Sequence, residues 1–215
     1  MPTTDLREMW GLRDSILFVI TGPSGSGKGT IMRAIVERYP DIVKIATFTT
    51  RQPRPNEEHG FDYQYVSVDD FLGKVASGEI SEHEQVYKDH YYGSPSFNPD
   101  QGSDRLMELD YKGMFKYKKI TKRLVSIFIA PPSFCEMVER IIHRSNESNL
   151  NNRVNNAFEQ MNYAEYYDYV IVNEKMDDAC AEAIAIVCAE RCRRDKPLRT
   201  RQIQRMCNER GLAHK

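Results

Sequence analysis

The chain reads as an α/β protein with a parallel sheet core and a small α+β insertion. Three observations predict this. Short apolar, β-branched runs (Ile16-Leu17-Phe18-Val19-Ile20, Val125-Ser126-Ile127-Phe128-Ile129 and Tyr169-Val170-Ile171-Val172) are near-continuous, as strands covered on both faces are. Stretches with helical spacing separate them. Between about Thr49 and Ser94 the texture turns polar and aromatic-rich in short alternating pieces, which marks the insertion. The 215 residues, 40% hydrophobic and 28% charged, suffice for one sizeable core and are short for two independent domains.

The first run leads into Gly22-Pro23-Ser24-Gly25-Ser26-Gly27-Lys28-Gly29-Thr30, after which Ile31, Ile35 and Val36 recur at helical spacing. The pattern is strand, glycine-rich loop, helix. Glycines let successive backbone N–H groups turn inward around phosphate oxygens, the helix start adds positive potential, and Lys28 brings a full charge to the terminal phosphates. The strict form of this loop has Ser or Thr after the lysine to ligate magnesium. Gly29 stands there and Thr30 comes one residue late, so contact with a metal is either direct or through water, and the metal ligands stay unassigned. Inside the insertion, Ser67-Val68-Asp69-Asp70 starts a helix that Gly78 stops. Ser133-Phe134-Cys135-Glu136, behind Pro131-Pro132, has capping-box spacing and predicts a helix from Ser133 to about His143. The polar stretch from Ser145 to Asn152 interrupts two helices as a flap.

A net charge of -1 excludes a polycation built to coat nucleic acid or acidic membrane, so phosphate binding has to be local. The longest apolar run near the start is far below the roughly 20 residues a membrane span needs, and Asp5, Glu8 and Asp14 suit no signal peptide. A cytoplasmic protein is expected. Cys135, Cys180, Cys188, Cys192 and Cys207 form no C-x-x-C pair, which fits reduced thiols. From Cys188 onward nine Lys/Arg stand against three acids, a basic tail read as a solvated face.

Residues 49–63, with Thr49-Thr50-Arg51-Gln52-Pro53-Arg54-Pro55 and Gly60-Phe61-Asp62-Tyr63, are followed by Glu82 and by Tyr91-Tyr92-Gly93-Ser94. With these motifs the chain resembles guanylate kinase, from Ile16 to about Asn173, including Ile129-Ala130-Pro131-Pro132-Ser133 and Val170-Ile171-Val172-Asn173-Glu174. The resemblance implies the P-loop nucleoside monophosphate kinase fold: a parallel sheet core (about 13–47 and 95–190), an inserted GMP-binding subdomain (about 48–94), a short lid (about 143–153) and the basic tail (about 191–215). It implies ATP as phosphoryl donor with Mg2+, GMP as acceptor with dGMP a lesser one, and neither nucleic acid nor membrane as partner.

The residues support this chemistry on their own terms. Arg51 and Arg54, three apart with prolines limiting the backbone between them, can converge on one phosphate dianion, and Tyr63 and Tyr92 can add neutral O–H donors. Guanine presents two adjacent N–H donors that a carboxylate accepts, whereas adenine presents an acceptor at N1 and leaves it unpaired. The resemblance makes that carboxylate Glu82, with Thr47 and Ser94 as supporting hydroxyls and Asp110 as a second acid near the base or the metal. A phosphate acceptor is already ionised, so no general base is required and positive charge must converge from several sides. Lys28 serves the donor. The resemblance places lid arginines at Arg140, Arg144 and Arg153, for which pairing with Glu136, Glu139 or Glu147 is the competing reading.

The family's pattern is broken at Gly29, at the two prolines within residues 95–104, at Tyr111-Lys112 where a glutamine usually precedes the glycine, and in the short flap. Two other functions share much of the pattern. A non-catalytic binding module would erode the glycine loop and sit beside other domains. A kinase of a phosphorylated sugar would keep the loop and the arginines but not a guanine-reading Glu82.

Overall fold

In the computed structural model, which describes residues 15–54, 57–87, 90–98, 102–121, 123–143 and 150–193, strands and helices alternate along most of the chain. The first part forms β1 (Leu17–Thr21), α1 (Lys28–Arg38), β2 (Val43–Ile45), β3 (Thr47–Thr49), β4 (Tyr63–Tyr65), α2 (Val68–Ala76), β5 (Ile80–Tyr87) and β6 (His90–Pro95). The second forms β7 (Arg105–Glu108), α3 (Tyr111–Ile120), β8 (Leu124–Ala130), α4 (Phe134–His143), α5 (Leu150–Met161), β9 (Tyr169–Val172) and α6 (Met176–Cys192).

Five strands make one sheet in the order β2-β7-β1-β8-β9, and every pairing in it is parallel. The apolar runs of β1 and β8 follow from burial on both faces, whereas β9, at the sheet edge, buries Ile171 and leaves Val170 and Val172 exposed, against the expectation of cover on both sides. Phe18 and Ile20 of β1 pack with Ile31 and Ile35 of α1 and Ala183 and Val187 of α6. Leu17 and Val19, which alternation sends to the other side, pack with Met114 and Tyr117 of α3 and with Tyr167. The sequence reading misses β2 and β7. Both are short, and each carries charge where a buried strand would carry an aliphatic: Lys44 in β2, Arg105 and Glu108 at the ends of β7.

The second sheet has the order β4-β3-β6-β5, with β3 parallel to β4 and antiparallel to β6, and β5 antiparallel to β6. It begins two residues earlier than the change of texture at Thr49 suggests. Helix α2 packs Phe71 against Phe48 and Ile80. Its ends are the expected ones: the Ser67 hydroxyl accepts from Asp70 N at 3.0 Å, and Gly78 has a left-handed φ of 77°.

Helix α4 starts as its capping residue requires, with Glu136 N donating to the Ser133 hydroxyl at 3.1 Å. Helix α5 begins at Leu150, so residues 150–152, expected in the flap, are helical. The rest of the expected flap, residues 145–149, and the expected lid residue Arg144 lie outside the described residues, as do tail residues 194–215 with Cys207. Arg191, counted with the tail, sits instead within α6 and donates to Asp104 at 2.8 Å and to Asp41. Cys135, Cys180, Cys188 and Cys192 are free. Among the described residues no helix is long and apolar enough to cross a membrane.

The tightest point of the second sheet is Gly93. A Cβ there would meet Ile80 Cγ2 at 2.7 Å, Phe71 Cζ at 2.9 Å and the Glu82 carbonyl at 3.0 Å. Gly93→Ala is therefore expected to cost about 1–3 kcal/mol by overpacking, at about 2–4 °C in Tm per kcal/mol for a chain of this size. Thermal unfolding checks this, and an unchanged Tm would show that α2 and the sheet part freely at this contact.

Candidate active site

In a parallel sheet the loops at the carboxyl ends of the strands share one rim. Here that rim carries the glycine loop after β1, Glu108 and Asp110 at the end of β7, Pro131 after β8 and Asn173 after β9. The loop is fastened from both sides. Asn173 Nδ2 donates to the Ser26 carbonyl at 2.7 Å, and Arg140 Nη1 reaches the Gly25 carbonyl at 3.5 Å. Gly22 has no room for a side chain, since a Cβ would lie 2.3 Å from the Ile129 carbonyl oxygen. Gly27, at φ 95°, turns the chain into α1, whose first turn has neither a side-chain cap nor an acid. Its leading N–H groups and the positive end of its dipole are thus left for an anion. Lys28 Nζ donates to the carbonyls of Gly22 at 2.8 Å and Pro23 at 3.0 Å, and lies 3.5 Å from Glu108 Oε1. At Gly29 the nearest group to a Cβ would be Asp62 Oδ1 at 3.7 Å, so the missing hydroxyl is not forced by crowding. Thr30 points to the exposed side of the helix start.

The second sheet brings the other group of residues together. Arg51 follows β3 directly, Tyr63 lies in β4 and Tyr92 in β6, with Thr49 and Tyr92 in register. Arg51 stacks its guanidinium 5.3 Å from the Tyr63 ring centre and 5.8 Å from that of Tyr65, and the Tyr63 and Tyr92 rings meet edge-on at 6.0 Å. Arg51 and Arg54 do converge, but on a carboxylate of their own chain. Arg51 Nη1 and Nη2 donate to Glu57 at 2.9 and 3.0 Å, Arg54 N donates to it at 2.8 Å, and the Tyr65 hydroxyl donates at 2.8 Å. Burial alone would raise the Glu57 carboxyl; the Arg51, Arg54 and Tyr65 hydrogen bonds outweigh it and bring the pKa to about 2. Arg51 Nε is buried without a partner, a state that costs about 1–3 kcal/mol when no ligand relieves it.

Loop 57–62 is tied to the core. Arg33 of α1 donates to Asp62 at 2.7 Å and to Glu58 at 3.2 Å and lies over the Phe61 ring, while Lys44 of β2 donates to the Phe61 and Asp62 carbonyls. Burial lowers the Lys44 ammonium from its ordinary value, against the raising fields of Glu108 and Asp62. The Glu108 field, followed by burial, holds the Tyr63 hydroxyl well above the usual phenol range, so it stays protonated and able to donate.

Glu82 lies in β5 opposite Ser94 of β6, and Phe48 faces Gly93, which sets Thr47 and Ser94 side by side, both buried. Glu82 Oε1 is paired with Lys116 Nζ of α3 at 3.0 Å, and the neighbouring Glu84 with Lys112 at 2.5 Å. Asp110 caps α3, accepting from Gly113 N at 2.8 Å. The Asp110 residue is exposed as a whole, yet its carboxyl is drawn above the usual range, by desolvation first and then by the Glu84 and Glu82 fields. Tyr117, buried beneath, has its hydroxyl pushed up to about 12 by burial and then by the charge of Glu82.

Of the three lid arginines, Arg140 is half-buried on α4 and bonds Glu136 at 2.5 Å, the competing pairing, while also touching the glycine loop. Arg144 lies outside the described residues; Arg153 is on α5, its side chain outside what the structure describes. Residues 96–98 and 102–104 form no helix, in keeping with the prolines there. Sequence reasoning misses Glu57, Tyr65, Glu108, Lys112 and Lys116. The only available signal was position, since each lies within six residues of a residue it singled out.

Residues 15–190 match the family model described as guanylate kinase. The guanylate kinase of Caldanaerobacter subterraneus subsp. tengcongensis is 39% identical over 190 residues, 86% of this chain and 92% of that one. That of Clostridium perfringens is 38% identical over 187 residues, 84% of this chain and 86% of that one. The crystal structure of guanylate kinase from Anaplasma phagocytophilum matches with a TM-score of 0.72 at 29% identity, covering 95% of this chain and 98% of that one. With a phosphate loop on one sheet, an arginine cluster on the other and likeness along nearly the whole length, the chain belongs to the guanylate kinase family.

Proposed function

We propose that the chain transfers the terminal phosphoryl group of ATP to GMP, giving ADP and GDP, with dGMP a lesser acceptor. Family membership supports this substrate pair. The observation that carries the assignment to this site is a shared carboxylate. Glu108 lies 3.5 Å from Lys28 on the donor side, and its field is the largest influence on the Tyr63 hydroxyl; Asp62, next to Tyr63, would lie 3.7 Å from a Cβ at Gly29, next to Lys28, which supports reading the two phosphate-binding groups as neighbours.

The backbone of residues 22–30 and Lys28 bind the donor phosphates. The open edge of Arg51, with Arg54 and the Tyr63 and Tyr92 hydroxyls, binds the phosphate of GMP. Glu82 accepts the two N–H donors of guanine, supported by the Thr47 and Ser94 hydroxyls, with Asp110 as the second acid. The attacking oxygen is already ionised, so these residues bind and orient two anions and spread the charge of the moving phosphoryl group, without removing a proton. Arg140, Arg144 and Arg153 bring charge to that group from the lid side as water is excluded. Magnesium, which takes few protein ligands besides waters and phosphate oxygens, fits the hard oxygen donors present: Glu108 beside Lys28 and Asp62 beside Gly29 would hold it through its waters. When bound it supplies charge to the donor phosphates.

ADP release measured with GMP, AMP, CMP and UMP tests the acceptor. GMP is expected to be preferred over AMP at least about a hundredfold, because guanine offers the Glu82 carboxylate two N–H donors and adenine offers it none; equal rates would refute the role of Glu82. Glu82→Gln is expected to lower kcat/KM for GMP about ten- to a hundredfold, the worth of hydrogen bonds to a charged group. Lys28→Ala should lower kcat about a hundred- to a thousandfold with the fold intact by circular dichroism, and near wild-type turnover would overturn the donor assignment. Lys116 has to leave Glu82 when guanine arrives, so Lys116→Gln is expected to lower KM for GMP by up to about fivefold, the range of an exposed ion pair. A raised KM would place Lys116 on the substrate instead.

A further inference from the structure

An arginine side chain carries five N–H bonds in one plane. Three of those on Arg51 are used within the protein: Nη1 donates to the Gln52 carbonyl at 2.7 Å and to Glu57 Oε2 at 2.9 Å, and Nη2 donates to Glu57 Oε1 at 3.0 Å. The remaining two, Nε–H and the second N–H of Nη2, lie side by side along one edge of the guanidinium and match two oxygens of a phosphate. Nε is buried with no partner. The end of the group is therefore occupied and its edge is left without a hydrogen-bond partner at Nε.

Glu57 is held in turn by the chain around it. It accepts from Arg54 N at 2.8 Å, its own N donates to the Arg54 carbonyl at 3.1 Å, and the Tyr65 hydroxyl donates to Oε2 at 2.8 Å. Tyr65 belongs to β4, in register with Thr49 at the end of β3, so this brace comes from the sheet that also carries Arg51. A carboxylate anchored by a local turn and by a strand residue is not a loose counter-ion.

We propose that Glu57, braced by Tyr65, is the positioning residue that turns the Arg51 guanidinium so that its open edge meets the acceptor phosphate. This rests on the reading of Arg51 as part of the acceptor clamp. Glu57 itself makes no contact with substrate. It fixes a planar group whose two free donors act together only at one rotation, which removes a rotamer search from the binding step. A glutamine in its place keeps the size, but its amide hydrogens face the guanidinium hydrogens and only one acceptor remains.

The test compares GMP with guanosine, which shares the base and lacks the phosphate, in wild type, Glu57→Gln, Tyr65→Phe and Arg51→Ala. Calorimetry gives GMP affinity, and competitive inhibition gives that of guanosine. Glu57→Gln is expected to weaken GMP about tenfold or more, the worth of a charge-assisted pair, to leave guanosine within about twofold, and to raise KM for GMP far more than it lowers kcat. Tyr65→Phe should move GMP in the same direction by about two- to fivefold, as loss of one hydrogen bond does, and decides the matter alone if Glu57→Gln does not fold. Equal weakening of GMP and guanosine would overturn the proposal, because that is the mark of a damaged pocket. Tighter GMP binding in Glu57→Gln would overturn it too, by making Glu57 a rival occupant of the phosphate's seat. If Arg51→Ala binds GMP as wild type does, the acceptor-clamp reading itself fails, whatever Glu57 does.

Discussion

A charge held in a partly dry site has to be balanced before any ligand arrives. In this protein that requirement orders the residues proposed for both phosphate sites and for the base site. Lys28 has Glu108 and two loop carbonyls, Arg51 has Glu57, Arg140 has Glu136, and Glu82 has Lys116. Two of these arrangements are made to be exchanged and one is made to last. Lys28 and Glu82 have single, removable counter-ions from another element. Arg51 keeps a carboxylate held by Arg54 N and a tyrosine, and has N–H bonds left over for the proposed acceptor phosphate.

Of these pairs Glu82–Lys116 joins the two sheets, and further polar contacts do the same. Helix α1 carries Lys28 at its start and Arg33 just over one turn later, and Arg33 grips Asp62 and Glu58 in the loop that begins with Glu57. Lys44 reaches that loop from the edge strand of the parallel sheet. Thus the donor lysine and the loop that sets the acceptor arginine are fastened to one helix. The hydrophobic cores of the two sheets are separate, with Phe48, Phe71 and Ile80 on one side and the β1 clusters on the other. Polar ties, and no shared apolar cluster among the described residues, therefore connect the two sheets at this junction.

Legibility in the sequence divides along the same line. The glycine loop was readable because its constraints are local: nine consecutive residues contain the turn, the close approach at Gly22 and the charge at Lys28. Strands β1 and β8 announced themselves because burial on two faces leaves no polar alternation; β9, an edge strand with Val170 and Val172 exposed, announced itself only by its β-branched run. Strands β2 and β7 did not, since β2 is an edge strand with Val43 exposed and β7 keeps only Leu106 and Met107 between charged ends. Arg51 and Arg54 stood out by spacing and by the prolines beside them. Glu57 did not, because an acid in a polar run looks solvated until the turn folds it back onto the arginines. Glu108 and Lys116 were invisible for a different reason: their partners Lys28 and Glu82 are distant in sequence and meet them only once the strands are ordered.

That distant pairing bears on how the site tells one purine from another. Helix α3 begins with Asp110 as its cap and sends Lys112 and Lys116 to Glu84 and Glu82, so a single helix holds the acid proposed to read the base and the acid beside it. With Lys116 in place, the reading carboxylate is satisfied while the site is empty. The gain from guanine is then what its two N–H donors supply to a charged acceptor less the smaller amount an exposed ammonium gives up. Adenine brings an acceptor to the same point, leaves Glu82 with Lys116 and collects nothing from it. Specificity is a difference between such exchanges. Lending the carboxylate to a lysine costs a little affinity for the right base and gives none to the wrong one, while the phosphate clamp, which both bases share, supplies the binding.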